Sequence, residues 1–201
     1  PARGGSKGVP KKNIRLIADK PLIYYAIKSA LESKIFSHVI VSTEDKKIAS
    51  IAKKCGAEVP FMRPKNLATD NTAMEPVLLH AIKKLNSLGI DFEIFVYRDC
   101  TCPFIDEHDI IGAVELLKKS DCYSICGSVK AHPSPYFAMW EPNKDGFLEI
   151  SKTTNKIINR RQDSPTVYIT DGMFVFWTKK FLKVRKCQSG KMLPYEISKE
   201  H

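Results

Sequence analysis

The sequence predicts an α/β domain whose sheet is largely parallel. Short apolar runs of strand length alternate with longer segments in which apolar residues recur at helical spacing. Glycines and prolines separate many of these segments. The chain has 201 residues, of which 43% are hydrophobic and 27% charged, enough for one domain with a sizeable core. We therefore treat residues 1–201 as a single domain.

The elements follow one another at short intervals. A loop rich in Gly, Lys and Pro covers residues 1–13. Helical spacing of apolar residues predicts helices over 21–34, 43–55, 73–88, 105–119 and 179–186. Short apolar runs predict strands over 38–42, 58–62, 92–97, 123–129 and 173–177. The end of the chain, over 194–201, shows no closing helix.

Local signals mark the ends of several predicted helices. Pro21 suits a first helical turn, and Thr43 can cap the second helix, followed by two acidic residues. Gly56 and Gly89 are placed to end the second and third helices. The fourth helix begins with an acidic cluster that includes Asp106, which complements a helix N-terminus.

The alternation stops in the segment 131–167. Four prolines are spread through it, with only short apolar pieces at 136–140 and 147–150. We interpret this segment as an inserted hairpin or arm. The strand predicted over 173–177 then resumes the α/β pattern.

The chain is basic, with a net charge of +10 from 32 Lys and Arg residues against 22 Asp and Glu residues. Such charge favours an anionic partner, although solvated helix faces explain part of it. The charge is spread along the chain without a zinc-finger or ribonucleoprotein motif, and a small polyanionic substrate would use it as well as nucleic acid would.

No apolar run is long enough to cross a bilayer, so no membrane partner is expected. The six cysteines form no CxxC pair, and Cys100 and Cys102 alone could share a strand face as metal ligands. Reduced, packed thiols in a cytoplasmic protein are the favoured interpretation.

The opening loop carries the clearest chemistry. Three glycines, Gly4, Gly5 and Gly8, let the backbone approach a ligand and turn its N–H groups inward. Four cations flank them: Arg3, Lys7, Lys11 and Lys12. Together they suit a triphosphate, whose charge must be neutralised before a nucleophile approaches. The loop matches neither GxxxxGK[ST] nor GxGxxG, and a flexible basic tail is the alternative.

The run Ala-Arg-Gly-Gly-Ser-Lys-Gly-Val-Pro-x-Lys-Asn over residues 2–13 resembles the signature loop of the acylneuraminate (CMP-sialic acid or nonulosonate) cytidylyltransferases. Further segments resemble the family in the same order, at 40–44, 63–70, 80–81 and 161–172. The resemblance implies a Rossmann-like nucleotidyltransferase domain. It also implies a reaction in which CTP and a nine-carbon sugar acid give a CMP-sugar and pyrophosphate.

The resemblance implies roles for individual residues. The catalytic cations, which hold the phosphates, would be Arg3, Lys7 and Lys12. The nucleotide site would comprise Ala2, Arg3, Gly4, Asn13, Arg63, Thr72 and Ala73, with Asn13 near the ribose and Arg63 on the cytosine. The sugar-acid site would comprise Asp99, Thr101, Arg161, Gln162, Tyr168 and Asp171.

Three departures from the family pattern bear on the sugar. Asp99 stands where the family has a glutamine that borders the sugar pocket. An acid there repels an anionic sugar unless it pairs with Arg98, binds an amine or binds the metal. Asp171 replaces an asparagine of many relatives, and Pro135 a lysine of some. These changes suggest a legionaminic or pseudaminic relative of sialic acid.

The resemblance also implies a Mg²⁺ or Mn²⁺ cofactor and a homodimer built by the arm over about 131–168. The Asp-x-Asp pair that holds magnesium in the family does not occur before His201, so the metal ligands are unknown. Because no strand precedes the opening loop, both termini are expected to be truncated. The alternatives are a related enzyme with another sugar acid or nucleotide, a non-catalytic anion-binding relative, and a salt-sensitive nucleic-acid-binding module.

Overall fold

A computed structural model describes residues 1–197 of the protein, except for the side chain of Asp171. The α-helices are α1 Leu22–Glu32, α2 Lys46–Lys54, α3 Met74–Ser87, α4 Glu107–Lys119 and α5 Thr178–Val184. The strands are β1 Leu16–Ile17, β2 Lys20–Pro21, β3 Ile94–Arg98, β4 Ser124–Lys130, β5 Trp140–Pro142, β6 Leu148–Ile150, β7 Tyr168–Trp177 and β8 Met192–Glu196. Single 3₁₀ turns occur at Lys12–Ile14, Lys65–Leu67 and Arg161–Asp163.

The main sheet is mixed, with the strand order β3-β7-β4-β8. β7 is antiparallel to both of its neighbours, whereas β8 is parallel to β4. Three of the four strands therefore run in one direction around the reversed strand β7. The predicted sheet was largely parallel because helices alternate with strands, but β7 follows the inserted arm rather than a helix. β8 was not predicted, since Pro194 interrupts an otherwise short and exposed run.

The five predicted helices are all present, with ends shifted by at most three residues. Gly56 and Gly89 follow α2 and α3 with positive φ, as expected for residues that end helices. The predicted cap at Thr43 is wrong, because Asp45 caps α2 by accepting hydrogen bonds from the backbone of Lys47 and Ile48. The Asp45 carboxylate lies next to the helix and carries the charge that a helix N-terminus favours.

The strands predicted over 38–42 and 58–62 form only one parallel bridge, between Ile40 and Glu58. Among residues 1–197, no hydrogen bond joins this pair to β3. An apolar cavity of about 690 Å³ lies beside β3, and its walls include Val41, Ile82 and Val96. Backbone pairing requires neighbouring strands about 5 Å apart, so these two segments remain outside the sheet.

The segment 131–167 is the arm predicted from its prolines. It contains the β5–β6 hairpin, closed by a turn in which Gly146 has a φ of 86°. β7 begins at Tyr168, five residues before the predicted strand, so the arm leads directly into the sheet. None of the helices within residues 1–197 is long and apolar enough to cross a membrane.

An aromatic cluster fastens α5 to the sheet. Phe176 and Phe181 are both fully buried, and their ring centroids are 5.1 Å apart. Phe95 on β3 stacks against Phe176 at 5.1 Å. This packing fixes β3 beside β7 and so positions the end of β3, where the site described next begins.

Candidate active site

A polar cleft of about 510 Å³ lies between the opening loop, the turn at 66–72 and the end of β3. It brings together eight of the residues predicted from sequence: Arg3, Lys7, Lys12, Asn13, Arg63, Thr72, Asp99 and Thr101. These residues come from segments almost 100 positions apart in the chain. The cleft is rich in cations, which suits a polyanionic ligand.

Buried contacts at both ends hold the opening loop against the protein. Ala2 is buried, and its backbone N–H donates to the carbonyl oxygen of Ser42 at 2.9 Å. Asn13 is 7% exposed and donates from Nδ2 to the Arg3 carbonyl oxygen at 3.0 Å. The loop is therefore ordered rather than a flexible tail, and at least the amide nitrogen of Asn13 serves to shape it.

Glu44 links the glycine loop to Arg63. Its Oε1 accepts a hydrogen bond from the Gly4 N–H at 2.7 Å, and its Oε2 pairs with Arg63 Nη2 at 3.1 Å. The Arg63 side chain is 4% exposed, and its Nε has no partner among the described residues. A buried donor without a partner is costly, so this nitrogen is suited to a ligand.

Glycine is needed at position 4 for a steric reason. A Cβ atom there would lie 2.6 Å from Oδ2 of Asp45, the residue that caps α2. The loop backbone can therefore approach Glu44 and Asp45 only without a side chain. Gly4 was predicted as a nucleotide-site residue, but its atoms do not line the cleft.

Asp70 lies across the cleft from the loop and pairs with two of its cations. Its Oδ1 is 3.0 Å from Arg3 Nη2, and its Oδ2 is 2.7 Å from Lys7 Nζ. Arg3 also donates from Nη1 to the Thr69 carbonyl oxygen at 2.9 Å. The hydrogen bond from Lys7, together with the charges of Lys7 and Arg3, lowers the pKa of Asp70. A carboxylate thus occupies cations that could hold phosphate.

The end of β3 supplies a fixed carboxylate. Tyr97 is 7% exposed, stacks on Phe174, and donates its hydroxyl proton to Asp99 Oδ1 at 2.6 Å. Burial raises the pKa of Tyr97, and the charge of Asp99 raises it further, so the tyrosine stays protonated. The Asp99 N–H donates to the Gly172 carbonyl oxygen at 2.8 Å, which ties this residue to β7.

The other predicted residues lie outside the cleft. Ala73 caps α3 beside Thr72, and Ala2 lies behind the loop. Arg161 contacts His132 in the arm, while Gln162 and Tyr168 are exposed there. The backbone of Asp171 is in β7, and its side chain is outside the described part. The roles of these residues stay predictions.

Glu44 and Asp70, like Tyr97, are site residues for which no role was predicted from sequence. Glu44 and Asp70 both lie inside segments that resemble the family, but the sequence did not indicate which residues these two acids would pair with. Their contacts span 40 residues to Gly4 and 63 or more to the loop cations, so helical or strand spacing could not reveal them. His80 packs against Phe61, with the two ring centroids 5.4 Å apart. Burial lowers its pKa, which favours a neutral ring.

No group of three or more His, Cys, Asp or Glu side chains among the described residues is placed to hold a metal ion. Asp70 and Asp99 are the carboxylates that line the cleft, and each already has a protein partner. These residues alone therefore do not fit a resident metal.

Solved structures share this fold. CMP:2-keto-3-deoxy-manno-octonic acid synthetase complexed with CTP aligns with a TM-score of 0.70 at 14% identity, covering 98% of this chain and 87% of that one. The 4-diphosphocytidyl-2C-methyl-D-erythritol synthase of Anaerococcus prevotii aligns with a TM-score of 0.65 at 13% identity, with the same coverage. The alignments show that this chain shares the α/β fold of these two synthases.

Sequence comparison defines the family more narrowly. The family described as Cytidylyltransferase matches residues 1–201, and the chain belongs to it. Post-translational flagellin modification protein B of Campylobacter coli is 36% identical over 191 residues, 94% of this chain and 80% of that protein. The CMP-N,N'-diacetyllegionaminic acid synthase of Campylobacter jejuni is 34% identical with the same coverage. The pseudaminic acid cytidylyltransferase of C. jejuni is 32% identical over 90% of this chain and 77% of that protein.

Proposed function

We propose that this protein transfers the CMP group of CTP to a nonulosonic acid, a nine-carbon sugar acid, and releases pyrophosphate. The observation that carries this proposal is the ordered, cation-rich glycine loop facing buried Arg63 across one cleft. Membership of the cytidylyltransferase family supports CTP as the nucleotide. The relatives named for legionaminic and pseudaminic acids support a nonulosonic acid as the acceptor.

The loop cations would hold the triphosphate. Arg3, Lys7 and Lys12 line the cleft from one side, and the backbone of the glycine loop runs beside them. Arg63 would bind the cytosine, because its Nε is a buried donor without a partner among the described residues. Thr72 shapes this side of the cleft through its hydroxyl contact with Thr69 at 2.7 Å.

The reaction is an in-line displacement at the α-phosphorus of CTP. The anomeric hydroxyl oxygen of the sugar acid forms the new P–O bond and loses its proton, while the bond to the pyrophosphate oxygen breaks. The protein contributes mainly by positioning both substrates and by neutralising the phosphate charge. Arg3 and Lys12 supply that positive charge from fixed backbone positions.

We propose that Mg²⁺ or Mn²⁺ enters as part of the nucleotide substrate, bound to the triphosphate oxygens. Hard divalent cations prefer oxygen ligands and commonly bind nucleotides through phosphates. The described side chains do not themselves form a cluster for the ion. The cytoplasm, where CTP is made, is the proposed location.

The arm would form a homodimer and carry the sugar-acid contacts of Arg161, Gln162 and Tyr168 to a composite site. Its apolar side chains support this proposal, because Phe147 is 72% exposed and Ile157 89% exposed. Neighbouring exposed apolar residues often mark an interaction surface. A second copy of the chain is the partner proposed for it.

The test is pyrophosphate release in the presence of Mg²⁺, with CTP and a panel of nonulosonic acids, and with ATP, GTP and UTP as alternative nucleotides. We expect release only with CTP and one class of nonulosonic acid. Arg3→Met is expected to weaken CTP binding about 10- to 100-fold, since a charged hydrogen bond to phosphate is lost. Isothermal titration calorimetry measures that affinity without turnover.

Lys53→Met is the matched control, because Lys53 is an exposed lysine on α2 that does not line the cleft. It should leave the CTP affinity within about twofold. If pyrophosphate is released only when the acceptor is an eight-carbon sugar acid, the proposed acceptor is wrong and the eight-carbon acid takes its place. CTP binding that is the same in Arg3→Met and Lys53→Met would refute the assignment of the loop.

Asp70→Asn is expected to strengthen CTP binding about two- to fivefold at low salt. The change frees Arg3 and Lys7 from a competing carboxylate, and exposed ion pairs of this kind contribute little and are screened by salt. Calorimetry at low and high salt measures the gain, which screening should reduce. Asp121→Asn is the control, because Asp121 is also exposed and paired with two lysines. Weaker binding in Asp70→Asn would instead mean that Asp70 holds the cations in place for the nucleotide.

A further inference from the structure

We propose that Glu44 is a positioning residue that joins selection of the nucleotide base to binding of the triphosphate, because one carboxylate holds both the Arg63 guanidinium and the glycine loop. This inference rests on the proposed function, in which Arg63 binds the base and the loop binds the phosphates. It goes beyond that function, since Glu44 does not line the cleft and acts through its two neighbours.

The first step is that Glu44 uses its two oxygens on two different segments. Oε1 accepts a hydrogen bond from the Gly4 N–H at 2.7 Å, and Oε2 accepts one from Arg63 Nη2 at 3.1 Å. These partners lie 40 positions before Glu44 and 19 positions after it in the chain. One side chain therefore fixes the placement of the two segments relative to each other.

The second step is that the backbone beside Glu44 holds the same two segments. The Ser42 carbonyl oxygen accepts from the Ala2 N–H at 2.9 Å, and the Thr43 carbonyl oxygen accepts from the Arg63 N–H at 2.8 Å. Thr43 is fully buried. The Glu44 carboxylate thus extends from an anchored backbone, and it cannot follow one partner without leaving the other.

The third step concerns the direction of the Arg63 donors. The side chain of Arg63 is 4% exposed and that of Glu44 is 14% exposed, so little water competes for their hydrogen bond. A guanidinium is a rigid planar fork, and fixing Nη2 therefore fixes the direction of its other donors. One of these, Nε, has no partner among the described residues. Glu44 thereby sets how Arg63 presents its donors to a ligand.

The fourth step is the chemistry of base selection. An arginine side chain only donates hydrogen bonds. Cytosine offers two adjacent acceptors, O2 and N3, whereas uracil carries an N–H at position 3. A guanidinium that is held against this edge favours cytosine, and one that is free to turn discriminates less well.

The fifth step concerns the phosphate side of the cleft. Gly4 follows Arg3 directly, and Arg3 lines the cleft. The hydrogen bond from the Gly4 N–H to Glu44 therefore restrains the backbone from which Arg3 extends. A cation held in place loses less freedom when it binds a phosphate, so this restraint should increase the affinity for a triphosphate.

The experiment compares Glu44→Gln and Glu44→Ala with the parent protein. An amide oxygen accepts hydrogen bonds but an amide nitrogen only donates, so Gln can serve Arg63 or Gly4 but not both. Ala serves neither. Calorimetry measures the affinities for CTP, UTP and inorganic triphosphate in a buffer that contains sucrose, which favours the folded state. The ratio of CTP to UTP affinity reports on Arg63, and inorganic triphosphate reports on the loop.

We expect the two measurements to separate in Glu44→Gln. The guanidinium is the stronger donor, so the amide oxygen should face Arg63 and keep the CTP-to-UTP ratio within about threefold of the parent. The affinity for inorganic triphosphate should fall about three- to tenfold, because the Gly4 N–H loses its acceptor. The opposite separation, a lower ratio with an unchanged triphosphate affinity, would also support the bridge, with the amide turned round.

Both measurements should fall in Glu44→Ala, the CTP-to-UTP ratio by about tenfold and the triphosphate affinity by about three- to tenfold. Urea unfolding shows that each variant is folded under the conditions of the binding measurement. In a fully folded variant, a loss of global stability alone does not change the CTP-to-UTP ratio. If Glu44→Ala does not fold, Glu44→Gln keeps the shape of the side chain and provides the test.

Glu115→Gln is the matched control. Glu115 pairs with Lys119 at 3.1 Å on an exposed part of α4, and it does not line the cleft. The substitution makes the same chemical change as Glu44→Gln. All three affinities should therefore stay within about twofold of the parent.

The proposal is overturned if Glu44→Gln leaves all three affinities unchanged. It is also overturned if folded Glu44→Ala keeps the CTP-to-UTP ratio of the parent, because Arg63 would then select the base without Glu44. If the parent binds UTP as tightly as CTP, or releases no pyrophosphate from CTP with any sugar acid, the proposed function itself fails. Measurements on the parent therefore separate that failure from failure of the role of Glu44.

Discussion

Replacing Arg63 with methionine is expected to lower the free energy of unfolding by about 3–5 kcal/mol. Arg63 is 5% exposed and forms its ion pair with Glu44, whose side chain is 14% exposed. Removing the guanidinium leaves a mostly buried carboxylate whose one remaining hydrogen-bond partner within residues 1–197 is the Gly4 N–H. Urea unfolding followed by circular dichroism measures the loss, and a change below about 1 kcal/mol would contradict it.

The double variant Arg63→Met with Glu44→Gln is the informative control. A neutral amide tolerates burial better than an uncompensated carboxylate, so we expect about half of the lost stability to return. Recovery of this kind identifies the unpaired charge as the cause. A double variant that is less stable than Arg63→Met would show that Glu44 acts mainly through Gly4. CTP affinity should stay low in both variants, because each lacks the guanidinium at the cleft.

Gly172→Ala is expected to destabilise the protein by about 3 kcal/mol or more. Gly172 has a φ of 48°, and a Cβ atom there would overlap Sγ of Cys102 and lie 2.5 Å from its Cβ. To relieve this overlap, β7 or the turn after β3 must shift. Such a shift would disturb Asp99, because its backbone N–H donates to the Gly172 carbonyl oxygen. The reaction with the sugar acid should therefore suffer together with stability. Chemical denaturation and KM for the acid test the two effects.

Gly146→Ala separates steric overlap from backbone strain. Gly146 also has a positive φ, but no atom lies within 4 Å of the position that its Cβ would occupy. We expect a loss of only about 1–2 kcal/mol, the cost of a left-handed conformation for a residue with a side chain. Equal losses in Gly172→Ala and Gly146→Ala would show that the contact with Cys102 adds nothing.

The helices could be predicted because their signals are local. Apolar spacing located α1, α3 and α4, and the acidic start of α4 corresponds to a capping box between Asp106 and Asp109. The cap of α2 was misassigned by two residues, since Thr43 and Asp45 are both good caps and the local sequence does not choose between them. Hydrogen bonds and packing within one or two helical turns decide where a helix lies and where it begins, so a short window of sequence contains the signals for both.

The sheet was predicted less well because strand pairing joins distant segments. The runs at 38–42 and 58–62 have strand composition, yet only Ile40 and Glu58 form a bridge. β8 pairs with β4 across more than 60 residues despite Pro194. Strand propensity largely reflects burial and neighbouring side chains, which a single segment does not reveal.

The sequence by itself determined the α/β class, the helices, the arm and the basic glycine loop, and its resemblance to a family indicated the cytidylyltransferase that the comparisons support. Only the tertiary structure decided that Asp70 pairs with Arg3 and Lys7, that Glu44 joins Gly4 to Arg63, and that Tyr97 orients Asp99. Periodicity and capping act over a few residues, whereas ion pairs and hydrogen bonds in a cleft depend on which distant segments the fold brings within about 3 Å.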